Sequence, residues 1–262
     1  MTSSPDPLAR SLGEPLAWQA VGALDVEAFA KARLEAINLA QWLARIANSF
    51  VVAGTAEERL TLEFRPADAA LVTRTFANDL ALELRLPTLE LQFREDGKRV
   101  PHVFDPEERS PAEVEAWLLV ELLHRGLDRA KFSKKLPYKV SGLMSGDAED
   151  HSPQSNQPAL TQLLAWFRNA AALLVRAAGA GDTAVYCWPQ TLNLSTSPNS
   201  ASAGFGFTPG DAQIPEPYFY RTLAVTKGSA ASKARSVLTA SALLAERDPA
   251  AATIAFMKVA PG

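Results

Sequence analysis

Polar and aromatic side chains are concentrated in one stretch of the chain, residues 183–220. This stretch holds the single cysteine, three of the four tyrosines, three Gly and five Pro residues. Aromatic rings can form the apolar walls of a small-molecule site, while amides and a carboxylate fix the orientation of the ligand. The predicted ligand-binding residues, with Tyr186 beside them, are Trp188, Gln190, Asn193, Glu216, Tyr218 and Tyr220.

Two other functions fit the same stretch. If the protein is an enzyme, for instance of a hydrolase type, we expect Glu216 to be its acid or base, because no other ionisable group is better placed in the sequence. Alternatively, these side chains only pack a strand-rich core, and the protein has a structural or interaction role. The sequence identifies neither a ligand nor a reaction.

The sequence carries no recognisable metal or nucleophile motif. His102, His124 and His151 are far apart and fall in different predicted elements, which gives no zinc-type spacing. We expect His102 and His151 to be solvated, and His124 to lie at the end of a helix where its charge is favourable. Cys187 is expected to be an inert buried thiol. No metal and no cofactor is predicted.

Composition and charge narrow the possible partners. The 262 residues carry a net charge of −3, which excludes the basic footprint of a general nucleic-acid binder. No apolar run is long enough to predict a membrane span, and residues 1–15 lack the pattern of a signal peptide. A single cysteine excludes an intrachain disulfide. We therefore expect a cytoplasmic protein with a possible small-molecule ligand; its oligomeric state is undefined.

Helical periodicity marks the elements that would support this site. One long amphipathic helix begins at the cap residue Asp25 and ends before Gly54. Another begins with the capping sequence at residues 110–113 and ends at Gly126. A third covers residues 159–178. We interpret the apolar stripes of these helices as core-packing faces rather than partner-binding surfaces.

Period-two patterns predict strands in both halves of the chain. Apolar and charged residues alternate at 60–65, 80–86 and 89–93, where the charged side chains are expected to pair across strands. Asp96 and Gly97 suit a hairpin turn into a further strand, since both central residues need positive φ. In the second half, strands are predicted at 184–188, 192–194, 201–207 and 218–225, followed by helices over 230–246 and from Asp248-Pro249 onward.

Residues 127–140 combine lysines with aromatic residues. Such a segment can bind phosphates or RNA, but in an acidic protein we favour a strand edge protected by lysines. The polar residues 141–158 resemble a linker. The predicted organisation is α+β, with antiparallel sheet packed by long helices: a flexible arm (1–15), an N-terminal half (16–140), the linker (141–158) and a C-terminal half (159–262), or one continuous domain.

Several motifs of the last third resemble a bacterial family of uncharacterised proteins. They are the segments VYCWPQTLNL (185–194), SAGF (202–205), PG (209–210) and EPYFY (216–220). In that family a Trp-containing strand leads to a Ser-Ala-Gly-Phe strand, a Pro-Gly turn and a Glu-Pro-x-Phe-Tyr strand, and the preceding order of elements is similar. The resemblance implies the fold but no activity. Related sequences often carry His and Asp near the Trp, where this chain has Gln190, Thr191 and Asn193.

Overall fold

The computed structural model describes residues 18–179, 183–197, 204–222 and 235–258. These residues form six α-helices and one sheet of ten antiparallel strands, which confirms the predicted α+β class. The helices are α1 (Val26–Phe50), α2 (Ala56–Leu60), α3 (Pro111–His124), α4 (Gln157–Ala178), α5 (Ala240–Leu244) and α6 (Pro249–Lys258). The strands are β1 (Leu62–Arg65), β2 (Ala70–Val72), β3 (Leu80–Arg85), β4 (Leu91–Glu95), β5 (Lys98–Phe104), β6 (Val185–Trp188), β7 (Asn193–Ser195), β8 (Phe205–Thr208), β9 (Tyr218–Thr222) and β10 (Arg235–Thr239).

The sheet draws its strands from both sides of residues 141–158. Its order is β10-β9-β8-β7-β6-β1-β2-β3-β4-β5, so most neighbours in the sheet are also neighbours in the chain. The exception is the central pair, in which β1 lies antiparallel to β6 with Phe64 opposite Val185 and Leu62 opposite Cys187. This pairing makes the strands of the two halves continuous.

One hydrophobic core lies between the sheet and the two long helices. Helix α1 begins at Asp25, whose side chain accepts hydrogen bonds from two backbone N–H groups of the first turn, and it buries Phe29 and Leu43 completely. Helix α4 contributes Trp166 and Phe167, and the Phe167 ring meets Phe64 of β1 edge to face at 5.3 Å. The two helices and both halves of the sheet share a single core cluster.

Charged residues pair across strands on the opposite face of the sheet, as expected for β3 and β4. The fully buried Glu83 forms ion pairs with Arg94 at 2.9 Å and with Arg99 at 2.5 Å. Arg94 also contacts Asp68 at 2.8 Å, so its charge lies between two carboxylates. A buried carboxylate is stable in this position only because two guanidinium groups offset its loss of hydration.

Two predicted elements are wrong. Residues 127–140 contain no strand; Asp128 accepts a hydrogen bond from Ala130 N–H and starts a short 3₁₀ helix at Arg129–Lys131 instead. Residues 235–239 form strand β10 rather than part of a helix, because β9 offers them an edge on which Val237 pairs with Tyr220. Tertiary pairing overrides local propensity here, and only Ala240–Leu244 of the predicted helix is helical among the described residues.

Several predictions fall outside the described residues. They include the arm at 1–15, the start of the strand predicted at 201–207, the end of that predicted at 218–225 and residues 230–234 of the predicted helix. No helix in the described part of the chain combines the length and the apolar character needed to cross a membrane.

Candidate functional site

A cleft of about 700 Å³ opens beside the N-terminal half of α1. Ala30, Leu34 and Ile37 of this helix form one wall. The segment 139–141 forms a second wall. The remaining sides of the cleft come from the β6–β7 turn and from the end of β8 with the turn that follows it. The remaining residues around the cleft are mostly polar or charged: Glu27, Lys31, Arg33, Lys139, Ser141, Gln190, Thr191, Asn193, Thr208 and Asp211.

Hydrogen bonds from α1 fix the β6–β7 turn against the second wall. The fully buried Gln41 donates to the carbonyl of Pro189 at 2.7 Å and accepts from the Tyr138 hydroxyl at 2.9 Å. Gln190 donates to the carbonyl of Lys139 at 3.0 Å. Burial raises the pKa of Tyr138, so its hydroxyl stays a neutral donor at physiological pH. One helix, one turn and one loop segment therefore hold each other at this edge of the cleft.

The turn after β8 requires a glycine where it meets α1. Gly210 has a φ of +101°, which L-residues rarely adopt, and a Cβ there would lie 2.5 Å from the carbonyl oxygen of Pro215 and would also collide with Nη1 of Arg33. That guanidinium donates to the carbonyls of Pro209 at 2.9 Å and Pro215 at 3.2 Å. Arg33 thus ties the turn to α1 at the base of the cleft.

Asp211 supplies a fixed negative charge in this turn. One oxygen accepts from two backbone N–H groups, those of Gln213 and Ile214, each at 2.8 Å, and the other accepts from the Tyr218 hydroxyl at 2.7 Å. Partial burial favours the neutral acid, but the hydrogen bonds from Tyr218 and the two N–H groups, together with the Arg33 charge, outweigh it and lower the pKa of Asp211. Asp211 is therefore ionised at neutral pH.

The Asn193 side chain has a buried polar atom without a hydrogen-bond partner among the described residues. It lies opposite Trp188 in the β6–β7 pair, while the neighbouring Cys187 and Leu194 are fully buried in the core. Neither the Asn193 Oδ1 atom nor the Trp188 Nε1 atom has a hydrogen-bond partner in the described structure, although both atoms are buried. Buried polar atoms are paired in most folded proteins, so each of these atoms requires an explanation.

The structure brings two of the six predicted ligand-binding residues to the cleft. Gln190 and Asn193 line it directly. Trp188 lies opposite Asn193 in the β6–β7 pair but is not a lining residue. Tyr218 does not line the cleft either, but its hydroxyl donates a hydrogen bond to Asp211, which does.

Glu216 and Tyr220 lie elsewhere. The Glu216 carboxylate accepts from the backbone N–H of Ser241 at 2.6 Å and from its hydroxyl at 2.8 Å, where it caps the start of α5. Tyr220 is buried and crosses Gly206, whose missing side chain leaves room for the phenol group. The glycine-containing strand thus accommodates a neighbouring side chain at this position.

The cleft also contains residues that were not predicted as ligand-binding. Arg33 and Lys31 belong to a helix whose apolar stripe indicated packing, and Lys139 belongs to the basic segment interpreted as a strand edge. None of these three residues carries a sequence signal for a binding site, although the Pro209-Gly210 turn after β8 is visible in the sequence. Sequence spacing could not show that α1 lies next to this turn.

Two expectations about ionisable residues have opposite outcomes. Cys187 is a fully buried free thiol whose pKa is raised by burial, as predicted for an inert cysteine. The expectation that His151 is solvated is wrong, because its side chain is buried. Its backbone N–H donates to the carbonyl of Arg109 and its carbonyl accepts from the N–H of Glu108, and these two hydrogen bonds hold it against the loop before α3.

No protein-family model, curated protein or solved structure matches this chain. The resemblance to an uncharacterised bacterial family therefore stays a prediction.

Proposed function

We propose that this protein binds a small molecule in the cleft between α1, residues 139–141 and the strand ends around Asn193 and Thr208. The observation that carries the proposal is the buried Oδ1 atom of Asn193, a cleft-lining residue, which has no donor among the described residues. Rotation of the Asn193 side chain toward the cleft would let a hydroxyl or ammonium group of a bound ligand supply that donor. The volume of the cleft lies within the usual range for small-molecule sites.

The charges around the cleft favour a carboxylate-containing ligand. Lys139 is exposed and has no ion-pair partner among the described residues, whereas Lys31 is paired with Glu27 at 2.8 Å. The Arg33 guanidinium donates to backbone carbonyls. Lys139 is thus the cation available to a ligand carboxylate, because an ammonium group binds oxyanions as a compact point charge.

The apolar wall of the cleft indicates that the middle portion of the ligand is apolar. Leu34, Ile37 and Val140 face the same cleft as Lys139 and Asn193. A carboxylate at one end, a short apolar portion and a hydroxyl or ammonium group at the other would satisfy these three parts together. The ligand class that we propose is therefore a small amino acid or hydroxycarboxylic acid.

A thermal-shift screen followed by calorimetric titration tests this proposal. The probes are the twenty L-amino acids and a set of small hydroxycarboxylic acids, each added to the wild-type protein. We expect at least one probe to raise Tm. Asn193→Ala, which removes the acceptor, and Lys139→Met, which removes the charge, should each weaken binding of that probe at least tenfold, or about 1.4 kcal/mol.

Lys135→Met is the matched control, because Lys135 is an exposed lysine of the same segment that does not line the cleft. It should bind the probe as the wild type does. If no probe stabilises the wild type, or if the two cleft variants bind as tightly as the control, the proposed function is wrong.

A further inference from the structure

We propose that His102, Glu121 and His124 form a binding site for one divalent transition-metal ion, with Zn²⁺ as the reference ion. Their ligand atoms all lie within 4.8 Å of one another. The Oε1 atom of Glu121 is 3.3 Å from Nδ1 of His102 and 3.8 Å from Nδ1 of His124. The cluster lies at the C-terminal end of α3, and none of its members lines the cleft.

The fold brings these residues together by two different periodicities. On α3, Trp117, Glu121 and His124 follow each other at spacings of four and three, which places them on one face of the helix. On β5, His102 and Phe104 are two residues apart and therefore share one face of the strand. The Trp117 ring lies 5.3 Å from the Phe104 ring, so these two faces pack together. This contact places His102 beside the turn of α3 that holds Glu121 and His124.

The carboxylate of Glu121 is held in place before any metal binds. Its side chain is only 4% exposed, and its second oxygen, Oε2, pairs with Nη1 of Arg125 at 2.5 Å. Arg125 is itself fixed by Glu95 at 3.0 Å and by stacking over Phe93 at 4.4 Å. This arrangement resembles the outer shell of known metal sites, in which a hydrogen-bonded partner orients each ligating carboxylate and leaves the other oxygen for the ion.

The donor set and its spacing suit a borderline-soft ion. Imidazole nitrogen and carboxylate oxygen bind Zn²⁺ at about 2.0–2.2 Å, which places tetrahedral ligand atoms about 3.3–3.6 Å apart. The distance between His102 and Glu121 already lies in this range, and the distance between His124 and Glu121 must shorten by about half an ångström at most. Both histidines are more than half exposed, so small rotations are sterically possible.

Three protein ligands leave one position of a tetrahedral ion open. Two histidines and one glutamate leave the fourth position for water or another small ligand. Three protein ligands are typical of catalytic zinc sites, whereas structural zinc sites have four. The helical part of the site, Glu121-Leu122-Leu123-His124, has the Glu-x-x-His spacing that carries metal ligands in some helical proteins. The third ligand, His102, lies on β5, nineteen positions before Glu121. Sequence spacing alone does not reveal that it belongs to the same cluster.

Calorimetric titration with Zn²⁺, Ni²⁺ and Co²⁺ salts tests the site on the full chain, purified without a polyhistidine tag. We expect one ion per chain. His102→Ala and His124→Ala should each weaken binding at least tenfold, and the visible absorption of bound Co²⁺ should report nitrogen and oxygen ligation. Because both histidines are exposed, these variants are expected to keep the wild-type circular dichroism spectrum.

Glu149→Gln is the matched control. Glu149 is an exposed carboxylate of the segment that contacts the opposite end of α3, where Gly146 accepts from Ala112 N–H. This control should bind the ion as the wild type does. The proposal is overturned if none of the three ions binds at one equivalent, or if the two histidine variants retain the wild-type affinity, since a simple His–Glu ion pair would give that result.

Discussion

At the scale of single residues, His151 is an ionisable group in a buried position. Its ring is buried, and neither ring nitrogen has a hydrogen-bond partner among the described residues. Burial lowers the pKa of His151 from its usual 6.5 to about 4, although the nearby Asp150 charge opposes this shift. The imidazole is therefore neutral in the folded protein at physiological pH.

We predict that His151→Leu makes the protein more resistant to acid. Above pH 6.5 the imidazole is neutral in both states and its ionisation does not affect the free energy of unfolding. Between pH 6.5 and about 4 the unfolded chain binds a proton that the folded chain does not, so wild-type stability falls with decreasing pH, by up to ~3 kcal/mol near pH 4. The variant lacks this loss.

Urea denaturation of both proteins at pH 7.5, 5.5 and 4.5 measures the effect. The comparison at pH 7.5 is the internal control, because it isolates the packing change caused by the shorter side chain. The difference between the two proteins should then shift in favour of the variant as the pH falls. Parallel stability curves across this range would show that His151 titrates alike in the folded and unfolded chain.

The sequence could not have predicted this burial. His151 lies between Asp150 and Ser152 in a polar segment, and nothing in its neighbours indicates an apolar environment. Asn193 was predicted as a ligand-binding residue because an amide beside aromatic residues can orient a ligand. That its buried oxygen has no hydrogen-bond partner among the described residues became visible only in the folded chain. Residue types can thus indicate where chemistry is possible, whereas burial depends on segments that are distant in the sequence.

At the scale of elements, helix α1 supports both the core and the cleft. Its apolar stripe predicted the core contact correctly. The buried polar residues Glu35, Asn38 and Gln41, at spacings of three, lie on another line of the same helix and bind the segment 138–156. Asn38 accepts from Met144 N–H at 2.8 Å and donates to the carbonyl of Gly142 at 3.3 Å.

We predict that Asn38→Leu detaches residues 142–144 from α1. The change leaves the N–H of Met144 and the carbonyl of Gly142 without their partners, which costs about 1–3 kcal/mol. Hydrogen exchange of the Met144 amide should become faster, with little change in the amides of the sheet. Asn48→Leu is the matched control, because Asn48 is an exposed residue of the same helix whose amide reaches only the carbonyl of Lys135.

If Asn38→Leu leaves exchange at Met144 unchanged, the hydrogen bonds of Asn38 do not hold this segment. The result bears on the interpretation of residues 141–158, which were predicted as a linker from their Ser, Gly, Asp and Pro content. Composition correctly indicated the lack of regular structure over most of this range. It could not indicate that Glu35 and Asn38 of α1 bind the segment, because those residues lie more than a hundred positions earlier.

At the scale of the whole molecule, the sheet joins regions that the sequence presents as two halves. The strands β1 to β5 follow local patterns and turn signals, so most of them could be predicted from alternation alone. The contact between β1 and β6 pairs residues more than a hundred positions apart, and no local signal specifies it. Strand β10 was missed for the same reason, since its Ala- and Ser-rich surroundings favour a helix until β9 is present.

This continuity predicts that the protein unfolds in one cooperative transition. Phe64 of β1 contacts Phe167 of α4 at 5.3 Å between ring centroids, and Phe167 contacts Phe207 of β8 at 6.0 Å, so one chain of aromatic contacts crosses from the first half to the second. Phe64→Ala should therefore destabilise the whole molecule by about 3–5 kcal/mol. Hydrogen exchange in mild denaturant should show the amides of β3 and β8 losing protection together.

Val52→Ala is the control for a change in apolar content, because Val52 is 89% exposed and lies outside the core. It should leave stability within about 0.5 kcal/mol of the wild type. If the β8 amides of Phe64→Ala keep their protection while those of β3 lose it, the two halves unfold independently and the β1–β6 pairing does not couple them. Joint loss of protection would instead mean that the two halves unfold together. Because the walls of the cleft come from α1 and from the strand ends of the second half, a ligand bound there would then raise the stability of the entire sheet.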